Sequence, residues 1–417
     1  LKLVISSWGS YGDVYPYIGL ALELKRRGHV PVLAMPGLYR AMVEGEGIAF
    51  HAVRPDIDIQ DRELAARAMD PTKGPEVIFG EMIVPHLHHT HDDLWQATDD
   101  ADAIISHPAS PAAVIVAEQR NLPWISSVLA PLSFFSVFDP MTPPPAPWLQ
   151  PLLAASPALS RAFLWLTDRI TQKWAEPIQQ FRVTQGLAPT ANPVLAGQHS
   201  PRLVLAMFSK VLASPQRDWP PNVVITGASM YNGGQAAELP PELASFIDAG
   251  PPPLVFTLGT SAVASAGRFY DVSAEAVDRL GTRGVLLVGP HAINRPARVS
   301  ARVHVAEFAP HAALFARAAI VVHQGGAGTL HQALANGRPT LVVPHSHDQP
   351  DNARRVAALG VSRTLMPRQY RIAAVERELR ELMRPEYARR AQEVANVVRQ
   401  ENGPRAAAAA IESVLEH

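Results

Sequence analysis

Apolar residues come along the chain in two alternating rhythms. Runs of four or five, rich in valine, isoleucine and leucine, are short enough to be buried strands. Between them lie stretches with the 3.6-residue repeat of a helix. In the first half, Leu3–Ser6, Val30–Ala34, Ile48–Ala52, Ala103–Ser106 and Trp124–Val128 read as strands. Helices are expected from about Pro16 to a stop at Gly28, near Tyr39–Glu44, and over Ala112–Arg120. The rhythm restarts with strands at Leu254–Leu258, Gly284–Val288, Val303–Ala306, Ala319–Val322 and Thr340–Val343. Helices are expected at Arg268–Leu280, Ala312–Ala316, Gly328–Asn336 and Pro350–Leu359, with Gly337 and Gly360 where a helix needs a left-handed stop.

Strand–helix–strand repetition predicts parallel sheets covered on both faces. The fold class is therefore α/β, with two doubly wound Rossmann-like domains at 1–213 and 242–384. The proline- and glycine-rich segment 214–241 reads as their linker. A helical tail at 385–414 is expected to pack back toward the N-terminal domain. Residues 415–417 read as the start of an expression-tag scar and are left out of the fold. Two stretches interrupt the pattern. Phe134–Leu153 is aromatic and proline-rich, and Arg161–Phe181 has Leu164, Trp165, Ile170, Trp174, Ile178 and Phe181 at its apolar positions. Core packing accounts for the second, while an apolar acceptor pocket or a membrane surface accounts for both.

Composition narrows the function. At 417 residues and 47% apolar, the chain can bury two cores. A net charge of −1 argues against general nucleic-acid binding. No cysteine is present, so disulfides and thiolate metal sites are excluded. No apolar run has the length of a bilayer-spanning helix, and the first residues read as a strand rather than a secretory leader. Leu1 in place of methionine leaves open whether residues precede it. A cytoplasmic location is expected, with the inner membrane face as a further option.

Candidate chemistry centres on "VVHQGGAGTL" at Val321–Leu330. A helix N-terminus offers unpaired amides and partial positive charge, and glycines let phosphate oxygens approach them. His323 ends the strand, Gly325, Gly326, Ala327 and Gly328 form the turn, and Thr329 adds a hydroxyl. A tight structural turn with a capping histidine is the alternative. The run lacks the Gly-Lys-Ser/Thr ending of a triphosphatase loop and the glycine spacing of the dinucleotide fingerprint. Thr260 and Ser261 follow Gly259 in a second loop after a strand, and two such loops suit a diphosphate.

These residues, with Phe308-Ala309-Pro310-His311 before them and Asp348-Gln349-Pro350 after, resemble the donor-binding signature of family 1 glycosyltransferases of the GT-B fold. The opening "GSYGDVYPYIGLALELKRRGH" and the stretch "APLSFFSVFDPMTPPPAPWL" resemble the acceptor domain of bacterial members. The likeness runs toward rhamnolipid rhamnosyltransferases, then sterol and flavonoid glycosyltransferases. It implies two domains facing a central cleft and an inverting, metal-independent hexosyl transfer, with no cofactor beyond a dTDP-sugar or UDP-sugar donor. It implies that Phe308 stacks on the donor base and the backbone at Pro310 pairs with it. His323, the glycine-turn amides, Thr329 and Thr260 or Ser261 would hold the diphosphate, while Asp348 and Gln349 would bind sugar hydroxyls. Asp13, expected in the loop after the first strand, would be the base. An N-terminal helix cap is the structural alternative for it. Ser10, His107, Phe134 and Phe135 are the acceptor-side candidates.

Family members that use UDP-sugars often carry a glutamate at the position of His331. Its loss leans toward dTDP-rhamnose and a hydrophobic hydroxylated acceptor, such as a hydroxy-fatty-acid lipid or flavonoid. UDP-glucose transfer to a flavonoid or sterol, and a catalytically silent nucleotide-binding or partner-activating protein, are the alternatives. Peripheral membrane contact is a further partner the aromatic stretches suit. The histidines of "PHLHHTHDD" read as a polar helix face rather than a metal site, so no metal ligand is expected.

Overall fold

Burial on both faces makes the short apolar runs strands, because every side chain of such a run finds a core. The computed structural model describes residues 1–57, 61–234 and 238–416. Its first sheet holds β1 (Lys2–Ser6), β2 (Val30–Met35), β3 (Ala49–Ala52), β4 (Ala103–Ser106), β5 (Trp124–Val128), β6 (Val204–Ala206) and β7 (Val223–Ile225). Its second holds β8 (Leu254–Thr257), β9 (Gly284–Leu287), β10 (Val303–Ala306), β11 (Ile320–His323), β12 (Thr340–Val342) and β13 (Ser362–Thr364). Among the described residues all pairings are parallel, in the orders β3-β2-β1-β4-β5-β6-β7 and β10-β9-β8-β11-β12-β13.

Both orders reverse direction once. In the first sheet β1 lies between β2 and β4, with Val4 opposite Val32 and Ile104. In the second, Val322 of β11 faces Phe256 of β8 on one side and Leu341 of β12 on the other. Winding changes direction at β1/β4 and again at β8/β11. Loops leaving the carboxyl ends of such neighbours diverge and open a crevice, the usual ligand position of an open α/β sheet.

The chain divides into two compact units. One comprises 1–57, 73–231 and 402–416, the other 61–72, 232–234 and 238–401. Several boundaries differ from those expected. β7 lies within the expected linker and extends the first sheet. The tail is shared out. Its helix Pro385–Val398 belongs to the second unit, and next to it Arg399 Nε donates to the Ala335 carbonyl at 2.6 Å. Only Gly403–Leu415 joins the first, where Glu412 pairs with Arg27 at 2.6 Å and His29 at 3.0 Å. Leu415 closes that helix and packs on the core of Leu20, Leu24 and Ile411, so it takes part in the fold. Residue 417 lies outside the described residues.

The helix Pro157–Thr184 buries Trp174, Ile178 and Phe181 but leaves Trp165 and Ile170 more than half exposed. At 100° per residue Trp165 falls opposite the buried stripe, which explains its exposure. Among the described residues no helix is long and apolar enough to cross a membrane.

Candidate active site

In the first unit the reversal point carries a carboxylate and an imidazole. The helix after β1 starts at Tyr11, five residues before Pro16. Proline lacks one N–H, and a helix already nucleated upstream tolerates that loss near its start. Asp13 therefore sits in the first helical turn and not in a loop. Its Oδ2 accepts from the Ser10 backbone N–H at 2.8 Å and the Ser10 hydroxyl at 3.0 Å. Asp13 thus satisfies an orphan amide at the helix start, as the structural alternative expected. Its Oδ1 lies 3.7 Å from His107 Nε2.

His107 follows β4. The Ala109 amide donates to its Nδ1 at 3.0 Å, so the neutral ring carries its proton on Nε2, toward Asp13. Burial holds His107 below the usual histidine pKa, opposed by the Asp13 charge. At 3.7 Å the pair is too long for a hydrogen bond but close enough to tighten around a substrate. Beside it, Ser7, Trp8, Val53, Ile83, Leu87 and Ala109 line a recess.

The two phenylalanines differ. Phe134 is buried, stacked on Trp219 at 4.0 Å between ring centroids and near His199 and Phe208. It is a packing residue, since its ring is already covered by three others. Phe135 is half-buried and holds φ +48°, an uncommon backbone state for a bulky side chain. The histidine run is used locally: His91 meets Gln119 at 2.7 Å, Asp93 pairs with Arg54, and His88 packs on Phe181. Among the described residues no group of side chains is arranged to hold a metal.

In the second unit β11 hands over to the helix Ala327–Ala335 through the glycine turn. His323 is fully buried. The Gly325 amide donates to its Nδ1 at 3.0 Å, which places the proton on Nε2. That Nε2 has no hydrogen-bond partner among the described residues. Burial, then the nearby His311, lowers the His323 pKa to about 3, so the ring is a neutral donor. Gly325 holds φ +95°, and a Cβ there would lie 2.8 Å from Val342 Cγ1 and 3.1 Å from the Gln349 carbonyl oxygen. Glycine is required on both counts.

The loop before the helix Gln349–Ala358 is tied to this turn. Asn352 Nδ2 donates to the Gly325 carbonyl at 2.9 Å and to Asp348 Oδ2 at 2.7 Å. Gln349 is buried, and its Oε1 accepts the His345 amide at 2.9 Å, so it latches its own loop. Thr329 is buried in the first helical turn, while Gly326 and Ala327 are partly exposed and Gly328 is exposed. Thr260 is exposed and Ser261 half-buried after β8. Phe308 is 60% exposed, a free aromatic face, and Pro310 caps the helix His311–Phe315. His331 donates from Nδ1 to the Ala327 carbonyl at 2.7 Å.

Two residues of this arrangement were not anticipated. Gln324 is buried with Oε1 unpartnered among the described residues, and its Nε2 fills the space where Gly259 and Gly326 would carry a Cβ. It sits between the two glycine loops. Asn352 ties the turn to Asp348. A polar residue inside the glycine motif was the available signal for Gln324. Asn352, four residues after Asp348 on a helix, shares its face.

Comparison with known proteins agrees with this geometry. Residues 3–138 match the glycosyltransferase family 28 N-terminal domain. Residues 277–414 match the C-terminal domain of erythromycin biosynthesis protein CIII-like proteins. The O-mycaminosyltylonolide 6-deoxyallosyltransferase of Streptomyces fradiae is 28% identical, over 100% of this chain and 98% of its own. A sterol 3-beta-glucosyltransferase of Arabidopsis thaliana is also 28% identical, over 100% of this chain and 68% of its own. The chain is a glycosyltransferase, and its two parallel-sheet units have the GT-B fold. Solved structures share its fold. The kitacinnamycin glycosyltransferase superposes with a TM-score of 0.76 at 18% identity, covering 99% of both chains. The spinosyn rhamnosyltransferase complexed with thymidine diphosphate gives 0.68 at 16%, covering 100% of both.

The glycosyltransferase keeps several donor-unit histidines neutral, and this sets its acid stability. His323 has a pKa of about 3, and His311 and His331 of about 4, all lowered chiefly by burial. Unfolded histidines take protons near pH ~6.5, so between these values the unfolded chain binds more protons. Stability is therefore complete above about pH 7 and lost as pH falls toward about 4. Thermal midpoints measured by calorimetry should drop between pH 7.5 and 5.5. A flat profile would contradict the burial of these rings.

Proposed function

We propose that this glycosyltransferase moves a sugar from a dTDP-sugar, dTDP-rhamnose first, to a hydroxyl of a hydrophobic small molecule or lipid, inverting the anomeric centre. The observation that carries the reading is the unpartnered His323 Nε2–H at the glycine turn. An N–H donor buried beside a helix N-terminus is costly unless an anion accepts from it. In the reading, the diphosphate lies over Gly325–Thr329 and between Thr260 and Ser261, with Phe308 against the base. Asp348 meets the sugar, and Gln349 offers its remaining amide N–H groups.

Asp13 takes the proton of the acceptor hydroxyl as that oxygen bonds the anomeric carbon. The carbon–oxygen bond to the diphosphate breaks, and the leaving nucleoside diphosphate carries the electron pair. Its growing charge is stabilised by the turn amides and His323, which favours the transition state over the ground state. His107 orients Asp13, and the recess beside them suits an apolar acceptor. The 6-deoxyallosyltransferase and the thymidine-diphosphate complex of a rhamnosyltransferase support a thymidine donor carrying a deoxysugar. The sterol 3-beta-glucosyltransferase supports the second reading, UDP-glucose transfer to a sterol or flavonoid.

A competition assay tests the donor. The protein receives equal dTDP-rhamnose and UDP-glucose with a hydroxy-fatty-acid dimer, a flavonol, a sterol and a macrolide aglycone, and products are weighed by mass spectrometry. A deoxyhexose adduct is expected. A hexose adduct alone would replace the first reading by the second. Asp13→Asn is expected to lower kcat by about 10²–10⁴-fold with nucleotide affinity unchanged. His107→Leu should lower kcat about 10-fold, and His107→Gln, which keeps an N–H, less. Transfer that survives Asp13→Asn at the wild-type rate rules out the assigned base.

A further inference from the structure

The segment 61–72 comes from the acceptor half of the sequence, between β3 and β4, yet it belongs to the second unit. Its fold is defined locally. Asp61 accepts the amides of Glu63 at 3.0 Å and Leu64 at 3.1 Å and starts the helix Arg62–Ala68. Asp70 accepts the Thr72 amide at 2.8 Å and turns the chain back. Met69 is buried in the second unit's core, in the cluster that holds Leu258, Ala262, Val263 and Leu365.

What the segment touches is selective. Arg62 Nε donates to the Ala264 carbonyl at 3.3 Å, in the turn directly after Thr260 and Ser261. His347 Nε2 donates to the Ala68 carbonyl at 2.8 Å, and Ser346 Oγ to the Asp70 carbonyl at 3.3 Å. His347 and Ser346 directly precede Asp348. His347 also holds φ +56°, a left-handed state that a non-glycine residue keeps only when its surroundings enforce it. One short segment therefore fastens both loops that the donor reading uses, through the Ala264 carbonyl of one and the His347 and Ser346 side chains of the other.

We infer that residues 61–72 form a strap that positions the two donor loops, so that an element of the acceptor half of the sequence sets affinity for the nucleoside-diphosphate sugar. This rests on the donor reading above. Both ends of the strap continue into the first unit, at residues 57 and 73, with 58–60 outside the described residues. Loosening the strap and loosening the donor loops are then one event. By linkage, a bound nucleotide must hold the strap as firmly as the strap favours the nucleotide.

The test uses the full chain. Dissociation constants for dTDP and UDP are measured by calorimetry in the wild type, Met69→Ala, His347→Ala, Ser346→Ala and Arg62→Ala, with donor KM, acceptor KM and thermal midpoint for each. Hydrogen exchange of 61–72 is followed with and without nucleotide. His347→Ala and Met69→Ala should raise nucleotide Kd and donor KM about 10-fold while acceptor KM stays within about twofold. His347→Gln, which keeps an N–H donor, should recover part of the loss. Nucleotide should slow exchange across 61–72. If Met69→Ala fails to fold, the exposed Arg62→Ala and the small truncation Ser346→Ala carry the same expectation in weaker form. Unchanged Kd in folded variants with unchanged exchange would overturn the strap while leaving the donor reading intact. A wild type that binds neither nucleotide would overturn both.

Discussion

The proposed donor site depends on an imidazole that burial keeps neutral. His323 ends β11 in complete burial, and the Gly325 amide occupies its Nδ1. Its only proton is therefore on Nε2, where no described residue accepts it. Holding that ring requires Gly325 at φ +95°, and Gly325 leaves no room for a side chain against Val342 and Gln349. Gln349 in turn holds the His345 amide, and Asn352 joins the Gly325 carbonyl to Asp348. The glycine turn and the Asp348 loop are thus a single hydrogen-bonded object. A network fixed in this way is what the proposed anion site needs to avoid reorganising during reaction.

The same topology serves the opposite charge in the first unit. Both sheets reverse winding once, at β1/β4 and at β8/β11, and both place their chemical groups at the carboxyl ends of those strands. In the second unit the helix N-terminus is left open for an anion. In the first, Asp13 fills that role for its own helix by accepting the Ser10 amide. One carboxylate oxygen is thereby fixed, and the other is left toward His107. Helix capping does not preclude the proposed base role of the same side chain, so the structural and functional readings of Asp13 do not compete.

The sequence made visible whatever had a strong local cause. Ten of the strands announce themselves as apolar runs, and the glycine turn announces itself by composition. β6, β7 and β13 were not among the expected strands, and β7 was hidden in a proline-rich stretch. The helix start at Tyr11 was displaced by Pro16, which resembles a first-turn proline but sits one turn further in. Phe134 reads as an acceptor-side candidate because only tertiary structure brings Trp219 onto it. Residues 61–72 received no reading from the sequence, since nothing local tells which unit Met69 enters. Features set by the backbone of one turn, such as the glycine turn between β11 and the helix Ala327–Ala335, were legible. Those that depend on a partner far along the chain, such as Gln324 against Gly259, were not.

The most direct test of the account is the state of His323 itself. Side-chain nitrogen NMR of histidine-labelled protein, with His323→Asn to assign the signal, reports both the tautomer and its partner. The account predicts a neutral ring protonated at Nε2 that does not titrate between pH 8 and 6, with the Nε2 proton moving downfield when dTDP or UDP is added and not with the nucleoside alone. A ring that titrates near pH ~6.5, as a solvated histidine does, or an Nε2 signal indifferent to saturating diphosphate, would contradict it.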